Sequence, residues 1–316
     1  MRNLENNILD ISNNYYKYLM SLENVIGIGL GYKYINKVTT FEPCIHVLVE
    51  KKINAKYLSR NNLVAKNYMG IKTDVIEIGK YTFYQGEAIT EKYRPLEGGC
   101  EIFVVDENNE DIFFNGTLGC VVTKIEKGER EFFILSNNHV LANFNKNPIG
   151  LPIIQTNDID SEDIMQDVVA NLTTFIPIKF IEGDNKPINY VDCAIAKIHD
   201  KSIISNMIID IGEIKGITKA VLNQKIKKVG CATGLTTGKV TTIGATVEIP
   251  ASDELKIFYK DQIISDIDGN QGDSGAIVLN DYDEVLGLLV GGGGGMTLIN
   301  DIHKVLDLLN VEIYLG

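Results

Sequence analysis

The chain reads as mainly β, with a small α/β part leading it. Three observations carry this. From about Gly98 onward, short apolar runs recur between turns rich in Gly, Asn and Asp. Apolar residues at helical spacing are concentrated near the two ends of the sequence. The composition, 45% hydrophobic with 23% charged residues, is that of an ordinary globular protein able to bury a core.

Taken in order, residues 5–22 carry Ile8, Leu9, Ile11, Tyr15 and Leu19 at helical spacing, which predicts a short amphipathic helix. Strand-like runs follow at 25–34 and 44–49, with a polar turn near Asn36 and Lys37, and again at 74–78. The β-rich part then gives runs at 101–105, 119–125, 131–135, 164–169, 193–198, 225–229, 239–249, 256–264, 276–279 and 284–290. Residues 200–220 connect two halves of this part, and 298–309 predicts a closing helix. The expected organisation is a leading domain over 1–95, then units over 96–205 and 206–316.

A net charge of −12 disfavours nucleic-acid and anionic-membrane partners, which need a Lys/Arg footprint. No apolar run is long enough for a transmembrane helix, and the N-terminus lacks the apolar segment of a secretory signal. The five cysteines are scattered without a CxxC pair and read as reduced thiols. These features point to a cytoplasmic location. The strand edges leave homo-oligomerisation open.

The chemistry concentrates in three places. Gly272-Asp273-Ser274-Gly275 precedes the apolar run 276–279, so a serine sits on a glycine-flanked turn where backbone N–H groups can converge. His139 ends the apolar run through Phe132, Phe133, Ile134 and Leu135. Asp192 heads another strand-like run, Cys193 to Ile198. Taken singly, each has a plain structural reading: a β-turn serine, a strand-end histidine, a capping aspartate. Together, in the order His, Asp, Ser, they match a nucleophile–base–orienting set. Serine needs a base to take its proton, and an ordinary histidine titrates near neutrality.

These residues resemble the trypsin/chymotrypsin-like serine peptidases. A closer similarity is to their non-secreted bacterial branch related to the plant Narrow Leaf protease. It extends to Gly116-Thr117-Leu118-Gly119, to Leu135-Ser136-Asn137-Asn138-His139-Val140-Leu141-Ala142, and to Thr233-Gly234-Leu235-Thr236-Thr237-Gly238. In the leading part it includes the runs 25–33 and 72–79. The resemblance implies a double six-stranded β-barrel of chymotrypsin type, with His139 and Asp192 in the first barrel and Ser274 in the second. It implies an endopeptidase acting on protein or peptide through an acyl-enzyme, without cofactor or metal. The oxyanion hole would be the N–H groups of Gly272 and Ser274.

By the same resemblance, Asp268 would lie at the base of the specificity pocket and favour basic residues before the cleaved bond; it also reads as a solvated turn carboxylate. Val290, Gly291 and Gly292 would form the opposite wall, where an extended substrate backbone can pair. Thr233–Gly238 would be a turn between strands of the second barrel. Asp273 would hold the serine loop by hydrogen bonds. His46 and Cys44 share a strand face, but two ligands do not make a zinc site.

Nucleotide binding fails at 291–296, where GxGxxG would need glycine in place of Met296. An EF-hand at Asp266 fails on spacing. The remaining alternative is a protease-like scaffold whose closed cleft serves as a protein-binding module.

Overall fold

The computed structural model describes residues 2–36, 38–79, 82–83, 91–105, 113–156, 158, 164–252, 254–293 and 295–316. The protein is mainly β, with two large curled sheets. Among the described residues the first sheet has eight strands. Its order is Glu312–Ile313, Cys120–Glu126, Glu129–Ser136, Ala194–Ile198, Val168–Phe175, Pro152–Ile154, Glu101–Val105 and Phe113–Thr117.

The second sheet contains a closed ring. Lys256–Ser265 pairs with Met296–Asp301, followed in turn by Glu284–Gly293, Ile277–Asn280, Lys225–Gly230 and Gly234–Pro250, which pairs back with Lys256–Ser265. Closure leaves no free edge on these strands where they pair, the usual protection for a β fold. The long strand Gly234–Pro250 serves two partners because three register shifts bend it between Val240 and Val247.

The leading part is joined to this ring. Val25–Ile35 pairs antiparallel with Gly234–Pro250 on one side and with Val38–Val49 on the other. Val38–Val49 then pairs parallel with Ile71–Glu77. The first helix, Arg2–Asn14, buries Ile8 and Ile11 against Ile28, Leu30, Ile45 and Val47. The expected single helix over 5–22 is instead two, Arg2–Asn14 and Lys17–Met20. The second turns Leu19 into the same core.

The two sheets share a core. Cys120, Val122, Phe133, Leu135 and Ile195 of the first pack with Ile277, Leu279 and Leu288 of the second. The closing helix, Ile302–Leu309, covers this seam with Ile302, Val305, Leu306 and Leu309. It starts later than the expected residue 298. Asp301 caps it, its carboxylate accepting from the His303 and Lys304 N–H groups, and Leu298 and Ile299 belong to the preceding strand.

The segment expected as a turn, 233–238, is largely strand: Gly234–Gly238 pairs with residues of Lys225–Gly230. Residues 164–169, expected as a strand, split into a 3-10 turn at Ile164–Asp167 and the start of Val168–Phe175.

Candidate active site

The ladder between Glu129–Ser136 and Ala194–Ile198 brings His139 and Asp192 together. Phe133 faces Lys197, and the pairing runs to Ser136 against Ala194. The chain then leaves both strands at the same end. One continues into the short helix Asn138–Leu141, and Asp192 precedes the other. His139 Nδ1 lies 2.7 Å from Asp192 Oδ2, and the His139 N–H donates to Asp192 Oδ1 at 3.1 Å. Both carboxylate oxygens are thus engaged by one residue, which fixes ring and carboxylate relative to each other.

Asn137 precedes the helix, but its amide does not cap it. Asn137 Nδ2 donates to the Asp192 carbonyl at 2.8 Å. From the second sheet, Asn300 Oδ1 accepts the Asp192 N–H at 2.6 Å, and Asn300 Nδ2 donates to Gln262 Oε1. The aspartate is therefore held from both halves of the protein. Phe144 stacks on the His139 ring, with centroids 5.6 Å apart. It sits among three successive non-glycine residues at positive φ, Asn143, Phe144 and Asn145. Such backbone is costly and persists only where surroundings impose it. Here Asn138 and Asn145 exchange hydrogen bonds, and Asn145 also bonds the main chain of Ile178.

Ser274 lies at the end of the hairpin between Ile277–Asn280 and Glu284–Gly293. The Gly275 N–H donates to the Leu289 carbonyl, and Ser274 Oγ donates to the Val290 carbonyl at 3.0 Å. Thr117 ties the loop to the first sheet. Its N–H donates to the Ser274 carbonyl, its Oγ1 donates to the Gly272 carbonyl, and its own carbonyl accepts from Ser136 Oγ.

Gly116 is the meeting point. A Cβ there would come within 2.6 Å of Val140 and 3.1 Å of the Ser274 carbonyl, so the residue after His139 and the serine itself flank it. Gly272 has φ +100° and Gly275 φ +95°, the left-handed region that favours glycine.

Asp273 engages the strand Lys225–Gly230 and the residues that follow it. Its Oδ2 lies 2.9 Å from Lys228 Nζ, and it also accepts from the N–H groups of Asn270, Ala232 and Thr233 and from Thr233 Oγ1. Both members of the ion pair are fully buried. Thr233 thus belongs to the support of the serine loop.

The remaining expected residues divide. Val290, Gly291 and Gly292 run along the strand beside Ser274. Asp268 is exposed, and its carbonyl accepts from Thr236 Oγ1.

Cys44, His46 and Asp74 cluster closely enough to suggest a metal. Both ring nitrogens of His46 are already engaged, at 2.9 Å each, by Thr242 Oγ1 and the Tyr32 carbonyl. His46 and Cys44 are fully buried core residues. All five cysteines are free and buried, and burial pushes the thiols of Cys44, Cys100 and Cys120 up to about 12.

Lys228, Asn300, Thr117 and Phe144 had not been anticipated at the site. Lys228 had a signal: strand alternation places it on the same face as buried Ile226. An isolated lysine on an apolar face needs a buried partner.

No family model and no curated protein matches this chain. Solved structures do. Thermobifida fusca protease A is 14% identical over 70% of this chain and 98% of its own, with a TM-score of 0.49. Cellulomonas bogoriensis chymotrypsin is also 14% identical, over 70% of this chain and 98% of its own, with a TM-score of 0.44. A glutamic-acid-specific serine protease, described as using a histidine triad in substrate binding, is 20% identical over 69% of this chain and all of its own, with a TM-score of 0.48. Identities this low say nothing about activity or substrate. Among the described residues, no helix is long and apolar enough to cross a membrane.

Proposed function

We propose that the chain is a serine endopeptidase with Ser274 as nucleophile, His139 as base and then acid, and Asp192 as the group that orients the imidazole. The observation that carries this is the double engagement of the Asp192 carboxylate by His139, 2.7 Å at the ring and 3.1 Å at the main chain, beside a serine loop tied to the same sheet through Thr117. With Nδ1–H on the carboxylate, Nε2 carries the lone pair that can accept a proton.

The serine hydroxyl has one proton, which the structure places toward Val290. Attack requires that proton to go to His139 instead. The Oγ–carbon bond then forms, and the carbonyl oxygen takes the negative charge. The N–H groups of Gly272 and Ser274 receive that charge. Collapse breaks the C–N bond as His139 gives its proton to the leaving amine. Water, deprotonated by His139, then releases the acid and restores Ser274.

The substrate is a protein or peptide that pairs along Val290, Gly291 and Gly292. A basic preference resting on Asp268 would be weak, because an exposed carboxylate is screened by solvent. We place the chain in the non-secreted bacterial branch that its motifs resemble, with a leading domain over 1–95 before barrels over 96–205 and 206–316. Five buried, unpaired thiols fit a reducing cytoplasm.

The test is prolonged incubation with a fluorophosphonate, followed by peptide mapping. An adduct on Ser274, absent in Ser274→Ala and strongly reduced in His139→Ala, is expected. Folded protein that never acquires the adduct, in the parent chain or in any variant that opens the site, overturns the reading.

A further inference from the structure

The strand Glu284–Gly293 has two neighbours beyond Val290. On one side Gly291 pairs with Leu298 and Gly292 with Thr297, inside the closed ring. On the other side the partner comes from the leading part: Gly291 pairs with Phe83 and Gly292 with Thr82, antiparallel. We propose that Thr82–Phe83 is an internal occupant of the substrate edge, which keeps the Ser274 cleft latent until it is displaced. This rests on the endopeptidase reading for what the cleft does, but not for what fills it.

Three observations converge. First, the edge is the one beside the serine, since Ser274 Oγ donates to the carbonyl of Val290, the residue next to Gly291. Second, the direction fits. Going from Gly292 to Gly291 to Val290 leads toward Ser274, and the antiparallel partner advances from Thr82 to Phe83 along the same path. A segment so placed is led toward the nucleophile, as an incoming peptide would be.

Third, the reacting groups are shut away. Ser274 is 0% exposed and His139 3%. A peptide carbonyl cannot reach Oγ unless something moves.

One strand edge holds one partner, because each backbone N–H and C=O on it is used once. An extended peptide and Thr82–Phe83 therefore compete for Gly291 and Gly292. The internal segment has the advantage of being tethered, which raises its effective concentration. The displacing partner is an extended peptide recognised mainly through its backbone, because glycine presents no side chain at this edge.

The test uses the full chain with Thr82→Pro and Phe83→Pro together. Substituting both positions removes whichever N–H faces the glycine edge, and proline is poorly tolerated within a ladder. A Thr82→Gly, Phe83→Gly pair weakens the strand while keeping its donors, and serves if the proline pair does not fold. Thermal unfolding establishes that each variant is folded.

Two readouts separate the cleft's occupancy from its chemistry. One is the rate of fluorophosphonate labelling of Ser274. The other, in a Ser274→Ala background, is binding of a labelled peptide with the sequence Gly-Lys-Tyr-Thr-Phe-Tyr-Gln-Gly, that of residues 79–86.

Weakening this pairing should raise both the labelling rate and the peptide affinity on the order of tenfold. Folded variants that bind the peptide no better than the parent overturn the proposal, whatever their labelling. Tighter peptide binding without labelling in any form supports the internal occupant and counts against the endopeptidase reading instead.

Discussion

Lys228 Nζ lies 2.9 Å from Asp273 Oδ2 with both side chains fully buried, and Asp273 is the residue immediately before Ser274. The pair therefore fixes the serine loop from inside the protein. Removing one partner would strand a charge in a buried site, which costs about 3–5 kcal/mol. Lys228→Met and Asp273→Leu should each lower stability by about that amount in denaturant unfolding, and each should slow Ser274 labelling. The double variant should recover much of the stability, because two apolar side chains replace the pair, but not the labelling. Recovery of both would mean the ion pair has no part in shaping the loop.

Gly275 tests the loop from its other side. A Cβ there would lie 2.1 Å from Ser136 Oγ and 2.3 Å from the Thr117 carbonyl, at φ +95°. The second clash is with backbone, which cannot swing aside. Gly275→Ala should cost more than about 3 kcal/mol, in the range of severe core overpacking plus backbone strain. Gly128→Ala is the control. Its φ is +87° but nothing lies within 4 Å of the added methyl, so only the backbone cost of about 1 kcal/mol applies. Equal unfolding midpoints for the two variants would refute the steric account.

Much of this arrangement was legible in the sequence, and the reason is local. Apolar runs bounded by Gly and Asn mark strands, and His139, Asp192 and Ser274 each sit at the end of such a run. What escaped depends on partners far apart in the chain. Asn300 reaches Asp192 across 108 positions, and nothing near Asn300 announces that its amide leaves the strand Met296–Asp301 to do so. The strand Phe113–Thr117 was missed because Asn115 and Gly116 interrupt its pattern. Gly116 is small there because Val140 and the Ser274 backbone close on it. The second half of Val168–Phe175 was missed because Asn171, Thr173 and Thr174 are polar and only partly covered. Thr82–Phe83 is too short to give any periodicity, so only the paired structure reveals it.

The last prediction concerns pH and lies outside the serine site. His46 is fully buried, and burial lowers its pKa from the ordinary 6.5 to about 4. Its hydrogen bond to the Tyr32 carbonyl and the charge of Asp74 act the other way, while Lys33 and Lys52 reinforce the drop. The unfolded chain therefore binds this proton at a higher pH than the folded one. Stability from this group is complete above pH 6.5, falls as the pH drops toward about 4, and is lost below that. The full amount is about 3 kcal/mol, an order-of-magnitude figure from the size of the shift. Carboxylates also titrate at the acid end, so the informative quantity is the difference between wild type and His46→Gln. In denaturant unfolding from pH 7.5 to 4, wild type should lose more stability than the variant, with the divergence beginning near pH 6.5. Parallel curves would show that His46 is protonated in the folded protein as readily as in the unfolded chain. That would contradict the full burial of its ring, which disfavours the charged form.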